Sequence, residues 1–400
     1  MADAIGIAKY LFKCEITYIN TIKNKSLKIE NNSIKSLKID HNYVSNNMPI
    51  ILLTISLNKK IIDDMIKNSN ENLFNLSIVK YNELSNFPLE VTYFRDKFTY
   101  FLPDKLDANY EIDYATEEQE KQGNLKTITI GLMAINHINN NKKNCSMTIN
   151  NTTKYDYVKY ITSHIKDILI EPFNYNETLN NFVIPSIDSI SKLLKYINDY
   201  RVFYKTPYRY YIDFDCTYII SSSGKAITKK SDKYDSVSIN IKNIMNEEAN
   251  DEGMRINKTK GNHTIVVSYV DAEVYDNSIS NKSKTEIKGI TSTEVTTTSL
   301  KSKSSISTSK TKTVKINNDN KHMVENIVAD ENSSNVFVAI SKDDVDPSVF
   351  TINKKYTISH IDKYKDKDGI YLLTRKIEQY DRTKDNTYEI TVALYFRKID

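Results

Sequence analysis

The feature that most constrains this chain is a period-two alternation of apolar and polar residues. It is clearest in SLKIENNSIKSLKID at 26–40, where the pattern Ser-Leu-Lys-Ile-acid occurs twice, ten residues apart, around an Asn-rich NNS. Alternation places every second side chain on one face of a strand. An Asn-rich break between two such strands is typical of a turn. The segment therefore predicts a β-hairpin.

Similar patterns predict strands in the first and last thirds of the chain. A short helix is predicted at 58–68, where Ile61, Ile62, Met65 and Ile66 share one face. The Ser/Thr/Lys-rich tract at 278–315 is compatible with disorder, but its Thr content and alternation favour exposed strands. Further predicted strands lie at 48–57, 73–81, 98–102, 125–135, 236–244, 263–275, 335–340, 354–361, 369–380 and 387–399.

The middle of the chain has the spacing of amphipathic helices. Apolar residues recur at helical steps through 152–170, with Thr153 as a candidate N-cap and Asp156 in the first turn. A second helix is predicted at 185–199, with Ser186 near its start. These helices separate the two β-rich parts.

The stretch YRYYIDFDCTYII at 208–220 follows the helices and predicts one long strand that ends in the turn SSSGK. On that strand Arg209, Tyr211, Asp213 and Asp215 share the more polar face. We expect this face at a domain or subunit contact. Asp213 and Asp215 would lie ~6–7 Å apart at a rise of ~3.3 Å per residue, which also suits a pair of hydrolytic carboxylates.

Composition and charge exclude some classes of protein. A net charge of +4 over 400 residues gives no strong field for nucleic acid. No segment approaches the ~20 apolar residues of a membrane-spanning helix, and the first residues lack a secretory pattern. The widely spaced Cys14, Cys145 and Cys216 predict reduced thiols. We expect synthesis and folding in a cytoplasm, without a membrane anchor.

Motif searches predict no catalytic, cofactor-binding or metal-binding residue. The residue five before Gly224 is Ile219, so SSSGK is not a phosphate loop. The glycine spacing of dinucleotide folds and the patterns H-E-x-x-H and G-x-S-x-G are also missing from the sequence. A calcium-like loop at 364–375 has Arg375 where an acid is required.

One stretch carries a family resemblance. A helix after a proline is followed by YRVFYKTPYRYYIDFD at 200–215 and TYIISSSGK at 217–225. This order resembles the central section of the baseplate or tail hub proteins of contractile-tailed bacteriophages. NNMPIILLTISL at 46–57 and YEITVALYFRKI at 388–399 resemble the beginning and end of such proteins. The likeness covers most of the chain as an order of elements and is most specific over 200–225.

The resemblance implies an α+β, β-rich fold with two related β-barrel-like domains and a mixed α/β section between them. The corresponding domains would be 1–150, 151–250 and 251–400. Three copies would form a ring. Two similar units in each chain would give this trimer six similar units, which match the six-fold symmetry of the tail tube. The protein would be a non-enzymatic virion component of the tail baseplate, assembled in the host bacterial cytoplasm. It would join the six-fold tail tube to the three-fold central spike and leave a channel for DNA.

The partners implied are two further copies of this chain, the tail tube protein, the central spike protein and other baseplate components, with the tape-measure protein as a further candidate. DNA would only pass through. A hub of a phage-tail-like bacteriocin fits equally well. Two other functions stay open: a cell-wall hydrolase that uses Asp213 and Asp215, and a receptor-binding tail adhesin with 278–315 as its stalk.

Overall fold

In the computed structural model, most of the described residues lie in strands, with a few short helices. The described residues are 10–44, 46–67, 72–82, 91–101, 125–222, 236–241, 256–259, 263–276, 284–296, 314–316, 335–340, 347–360, 368–382 and 387–399. The predicted turn beyond Ser222 and much of the 278–315 tract lie outside these residues. Within that tract, strands cover 284–296 and 314–315, as the alternation predicts.

The elements fall into three stretches of sequence. The N-terminal stretch contains β1 (Tyr10–Asn20), β2 (Lys25–Ile29), β3 (Ile34–Asn42), β4 (Ile50–Asn58), α1 (Lys59–Lys67), β5 (Asn72–Asn82), β6 (Val91–Phe101), β7 (Leu125–Ala134) and α2 (Ile135–Asn141). The middle stretch contains β8 (Lys142–Ile149), β9 (Thr152–Thr153), α3 (Lys154–Ile161), β10 (Ile168–Ile170), β11 (Thr178–Leu179), β12 (Phe182–Ser189), α4 (Ile190–Tyr200), β13 (Tyr208–Ile212) and β14 (Thr217–Ser221). The C-terminal stretch contains β15 (Ser236–Ile241), β16 (Ile256–Thr259), β17 (His263–Asp276), β18 (Lys284–Thr296), β19 (Val314–Ile316), β20 (Asn335–Ile340), β21 (Lys355–His360), β22 (Gly369–Arg382) and β23 (Tyr388–Lys398).

Strands from both ends of the chain share one sheet of 12 strands. Within it, eight antiparallel strands close on themselves in the order β22, β3, β4, β7, β6, β5, β1 and β23, because β23 pairs again with β22. We call this closed arrangement the strand ring. The contact between β1 and β23 is the pair Phe12 and Tyr388, so the described register is shortest there.

Alternation explains why these strands form a ring around a core. In β4, Ile51, Leu53 and Ile55 are fully buried, whereas Thr54 lies on the other face and contacts the Thr129 hydroxyl of β7 at 2.9 Å. One apolar face therefore points inward and one more polar face points outward. The strands predicted at 48–57, 73–81 and 125–135 and the helix predicted at 58–68 are confirmed.

The hairpin predicted at 26–40 is wrong. Its two halves are strands, but β2 pairs with β1, with Ile29 opposite Ile16. β3 instead pairs with β4 and β22. A single 3-10 turn at Asn31–Ser33 carries the chain between them. Alternation specifies which face of a strand is buried, but it leaves the partner strand open.

The helices of the middle stretch are shorter than predicted. α3 ends at Ile161, and Ile168–Ile170 forms β10, which runs parallel to β14. α4 begins at Ile190, four residues after Ser186, because 182–189 forms β12 against β8. The N-cap prediction is confirmed, since the Thr153 hydroxyl accepts a 3.1 Å hydrogen bond from the Asp156 N–H.

A pair of Asn-Asn dipeptides bends the ribbon formed by β8 and β12. Asn151 and Asn181 both adopt a φ of 52°. The N–H of Asn151 donates to Oδ1 of Asn180 at 3.2 Å, and the N–H of Asn181 donates to Oδ1 of Asn150 at 2.6 Å. In each dipeptide, the side-chain oxygen of the first asparagine therefore accepts the N–H of the left-handed asparagine in the other dipeptide. The ribbon resumes beyond the bend as β9 and β11.

The long strand predicted at 208–220 is a hairpin. β13 and β14 are antiparallel, with Ile212 opposite Thr217, and Phe214 and Asp215 form the tip. The N–H of Asp213 closes the turn by donating to the Cys216 oxygen at 2.9 Å. Because even-numbered residues of β13 face odd-numbered residues of β14, the predicted single row of side chains is divided between two faces.

This hairpin lies between two cores. One face supplies Tyr211, Tyr218 and Ile220 to the core of the strand ring. The other face supplies Tyr210 and Ile219 to a second core, which α3 and α4 complete. Both faces of the hairpin are therefore apolar and covered, as in buried sheets generally.

The β-rich fold with few helices is thus as predicted. The division into domains 1–150, 151–250 and 251–400, the related β-barrel-like domains and the trimeric ring stay predictions. Among the described helices, none has the length and apolarity required to cross a membrane.

Candidate functional site

The four predicted contact residues lie in different surroundings. Tyr211 is fully buried on β13, and Asp213 is buried in the turn that follows it. Arg209 is half-buried on β13, whereas Asp215 is exposed at the tip. The hairpin therefore does not place all four on one strand face. Whether they form a domain or subunit contact stays a prediction.

The carboxyl groups of Asp213 and Asp215 do not form the side-by-side pair expected of a strand. Asp213 is ion-paired inside the protein, with its Oδ1 3.4 Å from Nδ1 of His41. The same Oδ1 accepts the N–H of Phe214 at 2.9 Å. Asp215 instead lies in an exposed position at the tip. The two aspartates therefore do not lie side by side on one strand face, which was the arrangement that suggested a hydrolytic pair.

Asp213 belongs to a buried group of four ionisable side chains, which we call the charge cluster: His41, Asp213, Lys376 and Glu378. His41 comes from β3, Lys376 and Glu378 come from β22, and Asp213 comes from the hairpin turn. Nε2 of His41 lies 3.4 Å from Oε1 of Glu378. Nζ of Lys376 lies 2.9 Å from the same oxygen. The cluster therefore connects the strand ring to the hairpin.

Glu378 is the acceptor at the centre of the cluster. Its Oε1 accepts the hydroxyl of Tyr93 at 2.8 Å, and its Oε2 accepts the hydroxyl of Tyr380 at 2.7 Å. Burial raises the pKa of this carboxyl, but the charge of Lys376 and the contact with His41 outweigh burial and hold the pKa well below its usual range. Glu378 is therefore ionised although it is fully buried.

His41 is held between two carboxylates. Burial and the charge of Lys376 lower its pKa, but Asp213 and Glu378 outweigh them and raise the pKa above its ordinary value. For Asp213, burial raises the pKa, and the charge and hydrogen bond of His41 outweigh it and lower the pKa. When His41 is protonated, the cluster holds two cations and two anions.

Aromatic rings surround the charge cluster. Phe214 at the hairpin tip stacks on Phe94 of β6, with ring centroids 4.2 Å apart. Phe214 also contacts His137 of α2, with ring centroids 5.3 Å apart. Tyr43 and Tyr211 pack edge to face at 4.6 Å. This apolar wall excludes water and strengthens the electrostatic interactions inside it.

Arg209 lies at the opposite end of the hairpin from the cluster. It donates to the Tyr208 oxygen at 3.3 Å, and burial lowers its pKa to about 10. Arg397 of β23 donates to the Ser222 oxygen at 3.1 Å. Burial, together with the charge of Arg209, lowers the pKa of Arg397 to about 10. Arg397 therefore joins the strand ring to the end of β14.

The charge cluster therefore forms an internal contact between the strand ring and the hairpin.

A surface hollow of about 410 Å³ lies elsewhere, between β8 and β12, and Cys145, Asp188 and Lys192 are among its lining residues. Across the part of the chain that is described, no group of three or more His, Cys, Asp or Glu side chains is arranged to hold a metal ion.

Sequence reasoning missed His41, Lys376 and Glu378. One signal was available for His41, because it continues the inward row of Leu37 and Ile39 on an alternating strand. A polar residue at an inward position requires a partner. The partner lies more than 170 positions away in the sequence, so spacing alone does not identify it.

Comparisons with known proteins give structural likeness at low identity. No protein-family model matches the sequence, and no curated protein matches it. The chain is similar to a tail protein from Neisseria meningitidis MC58, with a TM-score of 0.47, 9% identity and coverage of 97% of this chain and 96% of that one. It is also similar to the 43 kDa tail protein of prophage MuSo2 from Shewanella oneidensis, with a TM-score of 0.41, 10% identity and coverage of 97% and 96%.

A third similar structure is the lidded Francisella PdpA–VgrG complex, with a TM-score of 0.45 and 13% identity over 98% of this chain. The chain spans 53% of the matched chain in that complex and 66% in the lidless complex. Every one of these TM-scores lies below 0.5, so these likenesses by themselves assign no function.

Proposed function

We propose that this chain is a structural component of a contractile phage-type tail, the hub that joins the six-fold tail tube to the three-fold central spike. Three copies would form a ring with a channel for DNA. The observation that carries the proposal is the sequence resemblance over 200–225. This stretch includes the β13–β14 hairpin, which packs between the two cores.

The position of the hairpin supports a role in assembly. Tyr211 and Tyr218 lie in the ring core, Tyr210 and Ile219 lie in the second core, and Asp213 is used in an internal ion pair. The stretch that resembles hub proteins therefore packs against both cores and connects them. A cyclic assembly requires such rigid subunits, because each interface must repeat identically.

The first experiment is native mass spectrometry of the purified chain, with negative-stain images of the same sample. We expect a trimer that appears as a ring with a central hole. The measurement is then repeated in the presence of phage-type tail tube and central spike proteins, since some rings close only on a partner. A chain that remains monomeric both alone and in that mixture would contradict the hub proposal.

Two assays separate the alternatives. A hydrolase would digest peptidoglycan and lose that activity in Asp213→Asn and Asp215→Asn variants. An adhesin would bind whole host cells, which a hub enclosed within a baseplate would not do. A positive result in either assay from a chain that forms no ring would replace the hub proposal with the corresponding function.

A further inference from the structure

The hairpin turn meets the strand ring through ionisable groups. Asp213 contacts His41, and the tip residue Phe214 packs on Phe94 and His137. On the same face of the hairpin, Tyr218 and Ile220 pack in the ring core, and the Tyr211 hydroxyl also lies beside His41. The protonation state of His41 therefore affects the contact at the point where the turn enters the ring.

Geometry indicates which state of His41 fits. Nδ1 lies 3.4 Å from Oδ1 of Asp213, and Nε2 lies 3.4 Å from Oε1 of Glu378. An ionised carboxylate can only accept hydrogen bonds. A neutral imidazole has one N–H and one lone pair, so it would turn a lone pair toward one carboxylate. The doubly protonated imidazolium instead presents an N–H, and a share of its positive charge, toward each carboxylate.

The groups around His41 come from every neighbouring element. Tyr211 of β13 lies with its hydroxyl 3.4 Å from Nδ1. Tyr43 lies beside the imidazole, with ring centroids 6.0 Å apart. The charged and titratable groups that face His41 or its two carboxylates are Asp213 from the hairpin turn, Lys376, Glu378 and Tyr380 from β22, Tyr43 from the turn after β3, Tyr93 from β6, Tyr211 from β13 and His137 from α2.

We propose that the proton on His41 controls the docking of the β13–β14 turn on the strand ring. With the proton present, two cations and two anions balance in the cluster. Without it, Asp213 and Glu378 face a single cation, Lys376, in an enclosed space. One uncompensated buried negative charge then remains, and undocking of the turn lets Asp213 reach water.

The direction of the pH effect follows from the pKa values. Because the pKa of His41 is raised in the folded protein, its contribution is fully present below the unfolded value of about 6.5 and is lost as pH rises through the folded pKa. Because the pKa values of Asp213 and Glu378 are lowered, their contributions are present above about 4 and are lost as pH falls through the folded values. Docking is therefore firmest between about pH 4 and 6.5 and weakens on the alkaline side.

The decisive measurement is the protonation of His41 in the unmodified chain. Long-range proton–nitrogen NMR spectra of protein labelled with ¹⁵N-histidine distinguish an imidazolium from either neutral tautomer. We expect both ring nitrogens of His41 to carry protons at pH 6. A neutral His41 ring at pH 6 would overturn the proposal. The measurement itself uses the unmodified protein. The His41 signals are assigned by their change in chemical shift in the Asp213→Asn variant, so no variant of His41 has to fold.

Hydrogen exchange followed by mass spectrometry tests docking itself. We expect the protection factors of 208–221 to fall at least tenfold between pH 6 and pH 9, whereas those of β4 stay unchanged. His41→Gln should remove this difference, and the matched control His164→Gln should keep it. If the protection factors of 208–221 change in parallel with those of β4 at every pH, the proposal is wrong.

Discussion

The two cores of this molecule treat buried charge differently. In the strand ring, the side chains of His41, Lys376 and Glu378 contact one another and Asp213. In the middle stretch, Lys154 is equally buried, but its Nζ donates to the Val202 oxygen at 2.8 Å. Charge in the ring is therefore paired between side chains, whereas Lys154 relies mainly on the backbone.

Glu171 repeats the pattern of the middle stretch. It is buried, and its Oε2 accepts the N–H of Ser221 at 2.7 Å. A backbone partner stays in place when a neighbouring side chain is changed, whereas a side-chain partner can be lost by mutation or titration. The comparison teaches that the ring core is sensitive to the loss of any one member. At Lys154 and Glu171, by contrast, the backbone partners remain when a neighbouring side chain is replaced.

The largest expected effect comes from breaking the charge cluster. Glu378→Leu leaves His41 and Lys376 buried with too little negative charge, so the free energy of unfolding should fall by about 3–5 kcal/mol. Urea denaturation at pH 7 measures the change. The exposed Glu15→Gln should stay within about 0.5 kcal/mol of the wild type.

The double variant Lys376→Met/Glu378→Leu sharpens this test. Removing both members of a buried ion pair costs less than removing one, because no unpaired charge remains. The double variant should therefore be more stable than Glu378→Leu alone. Purely additive losses would show that the two side chains are not coupled, and the contrast between the cores would fail.

The next effect concerns the apolar packing of the second core. Leu194 on α4 is fully buried, so Leu194→Ala should lower the free energy of unfolding by about 3 kcal/mol through lost burial and a residual cavity. The loss should be the same at pH 6 and pH 9, since the Leu194 side chain does not titrate. Lys195→Ala, one position along the same helix, is the exposed control. A loss that changes with pH would contradict the separation of the two cores.

Lys154 gives a pH dependence opposite in sign to that of His41. Burial lowers the pKa of Lys154 to about 8, and Glu177 only partly offsets this. The unfolded chain therefore binds more protons above pH 8, and this group adds stability as pH rises. We expect Lys154→Met to remove a rise of roughly 1 kcal/mol between pH 8 and 9.5, with the shift discounted for solvent screening. Thermal unfolding of both proteins across this range is the measurement, and parallel profiles would contradict the prediction.

The smallest effect is at the start of α3. Thr153→Ala removes the side-chain acceptor for the Asp156 N–H, which should cost about 1 kcal/mol. Thr153→Ser keeps the hydroxyl and should stay near the wild type. Chemical denaturation of the two variants distinguishes the lost cap from a general disturbance, since an equal loss in both would point to packing of the Thr153 methyl group.

Local sequence patterns predicted the strands of the ring well. β4, β5 and β7 follow a regular alternation or an apolar run, and α1 places Ile62 and Met65 in the core as its spacing indicates. These elements depend mainly on which face of the backbone is buried. That information is present in the residues themselves.

The errors have a different origin. Alternation runs unbroken from 208 to 220, yet the tip at Phe214 and Asp215 reverses the chain. Ile168–Ile170 has helical spacing, but it becomes a strand because β14 offers a parallel partner. The charge cluster likewise joins His41 to residues far along the chain. In each case a long-range contact decides the outcome, and a local pattern cannot contain it.

The Asn-Asn bend also has an evolutionary consequence. The described non-glycine residues with positive φ are Asn24, Asn151 and Asn181, in a chain with only 8 glycines among its 400 residues. Asparagine tolerates the left-handed region better than most side chains. Its codons begin with two adenines, whereas every glycine codon begins with two guanines. A genome drifting toward A and T can therefore exchange glycine for asparagine at such turns and still encode the same path of the backbone.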